Sequence, residues 1–234
     1  MPTADSLALL TEEVVACRAC PRLVEWREQV ALEKRAAFRD EVYWGRPAPG
    51  FGDPAARILV AGLAPAAHGA NRTGRVFTGD RSGDWLFAAM HRAGLANQPT
   101  SVSADDGLRL TDAYVVAAVR CAPPQNKPTT EERDRCLPYL VRELQLLTEV
   151  RVVVVLGNFA YDAVGRVLAA SGSALPRPKP RFGHGVEVPT ERVTVLGCFH
   201  PSQQNTFTGK LTEPMLDDVF RRARELADEL PSER

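Results

Sequence analysis

Arg57-Ile-Leu-Val-Ala61 runs directly into Gly62-Leu-Ala-Pro-Ala-Ala-His-Gly-Ala-Asn-Arg-Thr-Gly-Arg-Val-Phe-Thr-Gly-Asp80, and this junction decides the fold. The first five residues read as a buried strand. Glycines at 62, 69, 74, 79 and 83 then fall within 22 residues and leave the backbone bare. A long glycine-rich loop leaving a buried strand is a place where a ligand meets main-chain NH groups. The polar and aromatic residues it offers are His68, Asn71, Arg72, Phe77 and Asp80.

Three further apolar runs follow, over 113–119, 152–156 and 193–199. Their β-branched content and lack of alternation suit strands buried on both faces. Helical patterns lie between them at 84–93, 130–147 and 158–169, with others at 6–15, from Pro21 toward Phe38, and at 213–230. The expected architecture is α/β, a single domain over residues 1–234 with a central four-stranded parallel sheet flanked by helices. The turn-rich stretch 43–54 is expected to be loop. Each strand is followed by unusual chemistry: the glycine loop, then Arg120-Cys-Ala-Pro-Pro-Gln-Asn-Lys-Pro128, then Gly157-Asn158, then His200-Pro-Ser-Gln-Gln-Asn-Thr-Phe-Thr-Gly209. Ligands of open parallel sheets bind beyond the carboxyl ends of the strands, so four loops converge on one cleft.

The 29 basic and 29 acidic residues cancel, which argues against coating nucleic acid by bulk charge and leaves only a local basic surface. No apolar run is long enough to span a membrane, and the first residues lack a charged segment followed by an apolar one; the expected location is cytoplasmic. The proline-rich stretch 176–181 reads as a solvated connection or a basic flap. There is no Walker motif, no G-x-G-x-x-G at the first turn and no G-x-S-x-G, so neither a nucleotide cofactor nor the common hydrolase elbow is indicated.

Five cysteines stand at 17, 20, 121, 136 and 198. In a reducing compartment metal binding and plain burial are weighed before disulfides. Cys17 and Cys20 have ligand spacing, and Cys121 and Cys136 flank a polar loop. Four thiolates fit either zinc or an iron–sulfur cluster, and spacing alone does not choose.

Taken together, Gly62-Leu-Ala-Pro-Ala66, Gly74-Arg-Val-Phe-Thr-Gly-Asp80, the cysteine pairs, Pro124-Gln-Asn-Lys127 and His200-Pro-Ser202 resemble the uracil-DNA glycosylase superfamily, most closely its iron–sulfur family 5 (UDGb type). The resemblance covers Cys17 to about Gly209, with every element in the family's order. It implies an enzyme that flips uracil, hydroxymethyluracil, ethenocytosine or hypoxanthine out of double-stranded DNA and hydrolyses the glycosidic bond.

Residue by residue, the resemblance makes Phe77 the stacking aromatic and Asn126 the base reader, with Gly62 and Ala64 bordering the base. His200 stabilises charge on the leaving group. Gln203, Gln204 or Asn205 fills the gap left by the flipped base, and Arg72 and Arg75 face DNA, with Arg18 and Arg120 as further phosphate candidates. Cys17, Cys20, Cys121 and Cys136 hold a 4Fe-4S cluster, leaving Cys198 as a small buried residue.

The first motif lacks the polar group that better-known branches carry there. Asp80 is the nearest carboxylate to orient water, with His68 and Asn71 as helpers, although Gly-Asp before a helix is also a capping arrangement. Asn158 is expected to cap the helix after the third strand. One site per chain needs no partner, so a monomer is expected. Two non-catalytic readings stand beside the enzyme: an iron–sulfur redox protein and a nucleic-acid-binding module.

Overall fold

A computed structural model describes residues 5–229. In chain order it contains α1 (Leu7–Ala16), α2 (Pro21–Glu33), β1 (Phe51–Gly52), β2 (Ile58–Gly62), α3 (Ala70–Thr73), α4 (Arg81–Arg92), β3 (Ala113–Ala117), α5 (Thr130–Leu146), β4 (Val152–Leu156), α6 (Asn158–Ala170), β5 (Glu187–Pro189), β6 (Thr194–Cys198), α7 (Gln203–Phe207) and α8 (Glu213–Glu229). The last position expected for the final helix, Leu230, lies outside the described residues.

The sheet order is β1-β3-β2-β4-β6-β5. The expected four-stranded parallel core is present as β3-β2-β4-β6, and the sheet has six strands because β1 and β5 add antiparallel edges. These edges span two and three residues, too short to leave a periodic signature, and β1 arises inside the stretch expected to be loop. Side chains of the central strands alternate between two cores. Ile58, Val60, Val152 and Val154 pack with Phe87, Met90 and Phe220, from α4 and α8. Leu59, Ala61, Val153 and Val155 pack with Leu140, Leu144, Tyr161 and Val164, from α5 and α6.

Local chemistry sets the helix boundaries. Asp80 caps α4 by accepting the Gly83 N–H at 3.1 Å, so the helix begins at Arg81, earlier than the expected Asp84. Thr129 and Glu132 form a reciprocal capping box at α5, with bonds of 2.8 and 3.1 Å. Helix α2 stops at Glu33, because Lys34 turns to φ +56°, and a separate short 3-10 turn covers Ala36–Phe38. Asn158 does not cap α6. Gly157 occupies that position, and the Asn158 amide donates to Asp162 instead, at 3.1 Å.

From β2 the chain moves to β3 on one side and then to β4 on the other. This reversal opens a crevice beyond the carboxyl ends of β2 and β4. The glycine loop leaves β2 at that crevice, Gly157 leaves β4 there, and His200 follows the adjacent β6.

Candidate active site

The glycines of the loop after β2 make room for the protein's own groups. A Cβ on Gly62 would lie 2.5 Å from Cζ of Phe77, and one on Gly83 would collide with the Phe77 carbonyl oxygen. Phe77 is therefore gripped from both sides, with φ +53° and its side chain nearly buried. A bulky residue held in the left-handed region stores about 1–3 kcal/mol of strain, which is retained where the surroundings over-determine it. Its ring stands 5.9 Å from that of His200, with 35° between the planes. The two residues that the sequence placed on the leaving base therefore meet, although they come from loops after β2 and β6.

A Cβ on Gly69 would collide with Oδ2 of Asp80. The carboxylate therefore lies directly on Gly69, two residues after the 63–67 segment that carries no acidic or amide group of its own. Asp80 has both roles weighed from the sequence: Oδ1 caps α4 through the Gly83 N–H, and Oδ2 faces Gly69. Burial raises its pKa above the ordinary carboxylate range. The N–H groups of Gly83 and Ser82 and the more distant Arg72 pull the other way.

Burial alone lowers the pKa of His200 from 6.5 to about 4. At neutral pH its ring is uncharged and one nitrogen carries a proton to donate. Its backbone is fixed by Asn205, whose Nδ2–H donates to the His200 carbonyl at 2.8 Å. Asn205 thus serves this scaffold, whereas Gln203 and Gln204 are exposed. Asn126 is also exposed, at the end of a tight turn in which it and Gln125 both have φ +56°. Gly62 meets the Phe77 ring, and Ala64 packs against the cysteines.

The loop arginines correct the sequence reading. Arg72 and Arg75 do not face DNA; both are buried and hold the loop from within. Arg72 pairs with Glu41, donates to the carbonyls of His68 at 2.9 Å and Gly79 at 3.1 Å, and lies 4.0 Å over the Phe38 ring. Arg75 pairs with Asp106 at 2.8 Å and donates to Ser101 Oγ and Thr78 Oγ1, each at 2.9 Å. Arg120 is likewise buried, against Glu143, while Arg18 remains exposed beside Glu28. Loop sequence shows positive charge but not the carboxylates that neutralise it, because those partners lie elsewhere in the chain.

The proposed helpers are also redirected. Asn71 is fully buried and donates to the Arg27 carbonyl at 3.1 Å. His68 Nδ1 meets the Tyr43 hydroxyl at 3.1 Å, and burial, followed by the charges of Arg35 and Arg72, lowers its pKa. The exposed cations near the cleft include Arg81, which stacks on Phe207, and Lys210, which stacks on Phe199. Sequence reasoning passed over Arg81 and Phe207. Phe207 stands within the histidine loop 200–209 and was not singled out there, and Arg81 directly follows Asp80.

All five cysteines are free thiols. Cys20, Cys121 and Cys136 form a separate buried cluster with Leu23 and Val119. Cys17, at the end of α1, is tied to them through Arg27, which donates to its carbonyl. Burial pushes the Cys121 thiol up to about 12, against the nearby Arg27. Arg27 is itself buried, and donates to Cys121 Sγ at 2.9 Å and to the Cys17 carbonyl at 3.2 Å. Its Nε has no hydrogen-bond partner. Among the described residues, no three His, Cys, Asp or Glu side chains are grouped so as to hold a metal ion.

The sequence profile of the Uracil DNA glycosylase superfamily matches residues 49–224, a span that takes in all six strands and the loops of the cleft, and the chain belongs to this superfamily. Among individual proteins, it is 58% identical over 226 residues to the Type-5 uracil-DNA glycosylase of Mycobacterium tuberculosis, covering 96% of this chain and 83% of that one. The Type-5 uracil-DNA glycosylase of Thermus thermophilus is 52% identical over 217 residues, 92% of this chain and 96% of that one. The Type-4 uracil-DNA glycosylase of Archaeoglobus fulgidus is 28% identical over 199 residues, 85% and 82% of the two chains.

The buried state of His200 is directly measurable. Because its folded pKa is lowered from 6.5 to about 4, the unfolded chain takes up a proton first as pH falls, and stability is lost from pH 6.5 downward through 4. An NMR titration of the His200 ring is expected to stay flat through pH 6.5 and to show its midpoint near 4. A midpoint near 6.5 would mean that the ring is hydrated.

Proposed function

We propose that this chain is a monofunctional uracil-DNA glycosylase that turns a deaminated base out of double-stranded DNA and hydrolyses its N-glycosidic bond, leaving an abasic site. The observation that carries the reading is the placement of Asp80 on Gly69, which supplies a carboxylate to a first motif that has none. Family membership and the names of its relatives support the reaction class.

The residues divide the chemistry as follows. Phe77 offers a flat face to the flipped ring, and Asn126 gives and takes hydrogen bonds on its edge. As the bond from C1′ to the base breaks, the base leaves with the electron pair and His200 donates a hydrogen bond to the growing negative charge. The hydrogen bond from the neutral His200 strengthens as that charge develops, so it favours the transition state over the uncharged ground state. Asp80 orients the water that adds to C1′ and accepts its proton, and its charge favours the oxocarbenium-like sugar. The departing base anion takes up one proton from solvent and Asp80 returns the one it accepted, so the products are a sugar hydroxyl at C1′ and the free neutral base. No electron is transferred.

A first motif with no polar side chain places no hydrogen-bonding demand of its own on the base. We extend the substrate class on that ground to hydroxymethyluracil, ethenocytosine and hypoxanthine. The protein is proposed to act as a monomer on DNA in the cytoplasm. Arg72 and Arg75 being internal, the duplex is met by exposed cations around the cleft such as Arg81 and Lys210.

Cys17, Cys20, Cys121 and Cys136 are proposed to hold a 4Fe-4S cluster. Cys20, Cys121 and Cys136 share one apolar cluster, and a buried guanidinium that donates to Cys121 Sγ and to the Cys17 carbonyl fits an anionic group held by these four thiols. The cluster supplies a structural tie between the start of α2, the loop after β3 and α5. Protein purified without oxygen should be brown with a broad visible absorbance, and Cys136→Ser should lose iron and unfold at a lower temperature. Colourless, iron-free protein of unchanged stability would contradict the assignment.

The catalytic assignment is tested on a duplex with one U:G pair. Wild-type protein should release uracil. Asp80→Asn should lose about 10²–10⁴-fold of the rate while changing stability by less than about 1 kcal/mol, because Asn also caps helices. A fully active Asp80→Asn would remove Asp80 from the chemistry, and no base release by wild type would remove the enzyme reading.

A further inference from the structure

Asn205 holds His200 from the carbonyl side. From the other side the hold comes from a second histidine, His184, in the strap that leads into β5. The antiparallel pairing of β5 with β6 sets Glu187 opposite Leu196 and Pro189 opposite Thr194. It continues beyond the strand, with the Gly185 N–H donating to the Gly197 carbonyl at 2.8 Å and the Gly197 N–H to the Val186 carbonyl at 2.9 Å. The approach is close: a Cβ on Gly197 would collide with the Gly183 carbonyl oxygen. In the same register His184 falls opposite Phe199. Gly185 turns to φ +73°, and there the backbone ladder gives way to a side chain: the Phe199 N–H donates to Nδ1 of the His184 ring at 3.2 Å. The carbonyl of the same peptide, that of Cys198, accepts the Gly157 N–H at 2.8 Å. The Cys198–Phe199 peptide is thus clamped at both ends, just before His200.

Ring contacts support the clamp. The His184 ring lies 5.1 Å from that of Phe199 with 35° between the planes, and Phe182 and Lys210 close on Phe199 from 6.3 and 4.9 Å. Phe182 in turn meets Tyr161 of α6, whose hydroxyl donates to the Pro180 carbonyl at 2.8 Å. Nδ1 accepts a hydrogen bond only when it carries no proton, so the ring is neutral with its proton on Nε2. Burial lowers the His184 pKa and favours this form, while a hydrogen bond to the Met215 backbone and the charge of Asp218, both on α8, pull the other way.

We propose that His184 is a positioning residue for His200, resting on the glycosylase reading above: by accepting the Phe199 N–H it fixes the backbone that leads into His200 and keeps that ring beside Phe77 in its dry site. It acts through the main chain and takes no proton in the reaction. A backbone free to turn at Phe199 would swing the whole His200 side chain, and a misplacement near 1 Å can cost on the order of 10²-fold in rate.

The test uses His184→Phe, which keeps a ring on Phe199 but removes the acceptor, and His184→Asn, whose Oδ1 can stand where Nδ1 does. Nitrogen NMR of wild type at neutral pH should show His184 with Nδ1 unprotonated. Single-turnover uracil release from a U:G duplex should fall about tenfold or more in His184→Phe and stay within about twofold of wild type in His184→Asn, with affinity for uncleaved DNA nearly unchanged in both. The midpoint of the His200 ring should rise from about 4 toward 6.5 in His184→Phe and stay low in His184→Asn. A packing role alone predicts the reverse order, since phenylalanine is the better substitute for a ring. Protonated Nδ1 in wild type, a fully active His184→Phe, a His184→Asn as slow as His184→Phe, or a slow His184→Phe whose His200 midpoint stays near 4 would each overturn the proposal. Absence of uracil release by wild type would instead overturn the glycosylase reading.

Discussion

The structure depends on a steric constraint: Phe77 and Asp80 occupy space that would belong to Cβ atoms at Gly62, Gly69 and Gly83. A side chain at any of these positions would push out the ring, the carboxylate or the peptide between them. The loop is thus packed against itself, and its bareness serves internal contact. This explains how a long, glycine-rich segment holds a fixed shape although glycine has the largest conformational entropy to lose. Arg72 and Arg75 complete the hold, since each gathers several loop carbonyls and hydroxyls while its charge is met by an acid from another segment. Breaking the Arg75–Asp106 pair, buried on both sides, leaves a charge uncompensated, which ordinarily costs about 3–5 kcal/mol.

Burial then sets the electrostatics. Both proposed catalytic groups are shifted toward their neutral forms by desolvation, the carboxyl of Asp80 upward and the imidazole of His200 downward. For His200 the shift is useful, because a neutral donor strengthens its bond only as charge develops on the base. For Asp80, helix capping opposes the shift: the N–H groups at the start of α4 favour the ionised form. One hydrogen-bonded turn therefore ends the loop, begins a helix and keeps a carboxylate available in an apolar setting. The buried Arg27 links Cys121 and Cys17 through its guanidinium and Asn71 through its carbonyl. The glycine loop and the cysteine pocket share this residue.

Much of this was legible in the sequence, because the four central strands are continuous apolar runs and each ends in a distinctive loop. Phe77 and His200 were recognised separately from their motifs, and the strand order brings them together. The edges β1 and β5 were not legible, being too short to have a period. The fate of Arg72, Arg75 and Arg120 was not legible either. A charge in a loop has the same letter whether it faces solvent or a carboxylate such as Glu41, Asp106 or Glu143. Gly69 is the converse case: the bare loop reads as a place for a ligand to meet main-chain NH groups, and its neighbour proved to be Asp80.

The central claim is that the glycine loop works by placing its own carboxylate. Gly69→Ala tests this most directly, because it adds one methyl group against Oδ2 of Asp80 and leaves every charged residue in place. The measurement is the single-turnover rate of uracil release from a U:G duplex, with the affinity for uncleaved DNA measured alongside. The account predicts a fall of about 10²-fold in rate, the scale of a misplacement near 1 Å, with DNA affinity nearly unchanged. An unchanged rate, or a loss confined to DNA affinity, would show that the glycine serves the approach of DNA and that Asp80 is only a helix cap.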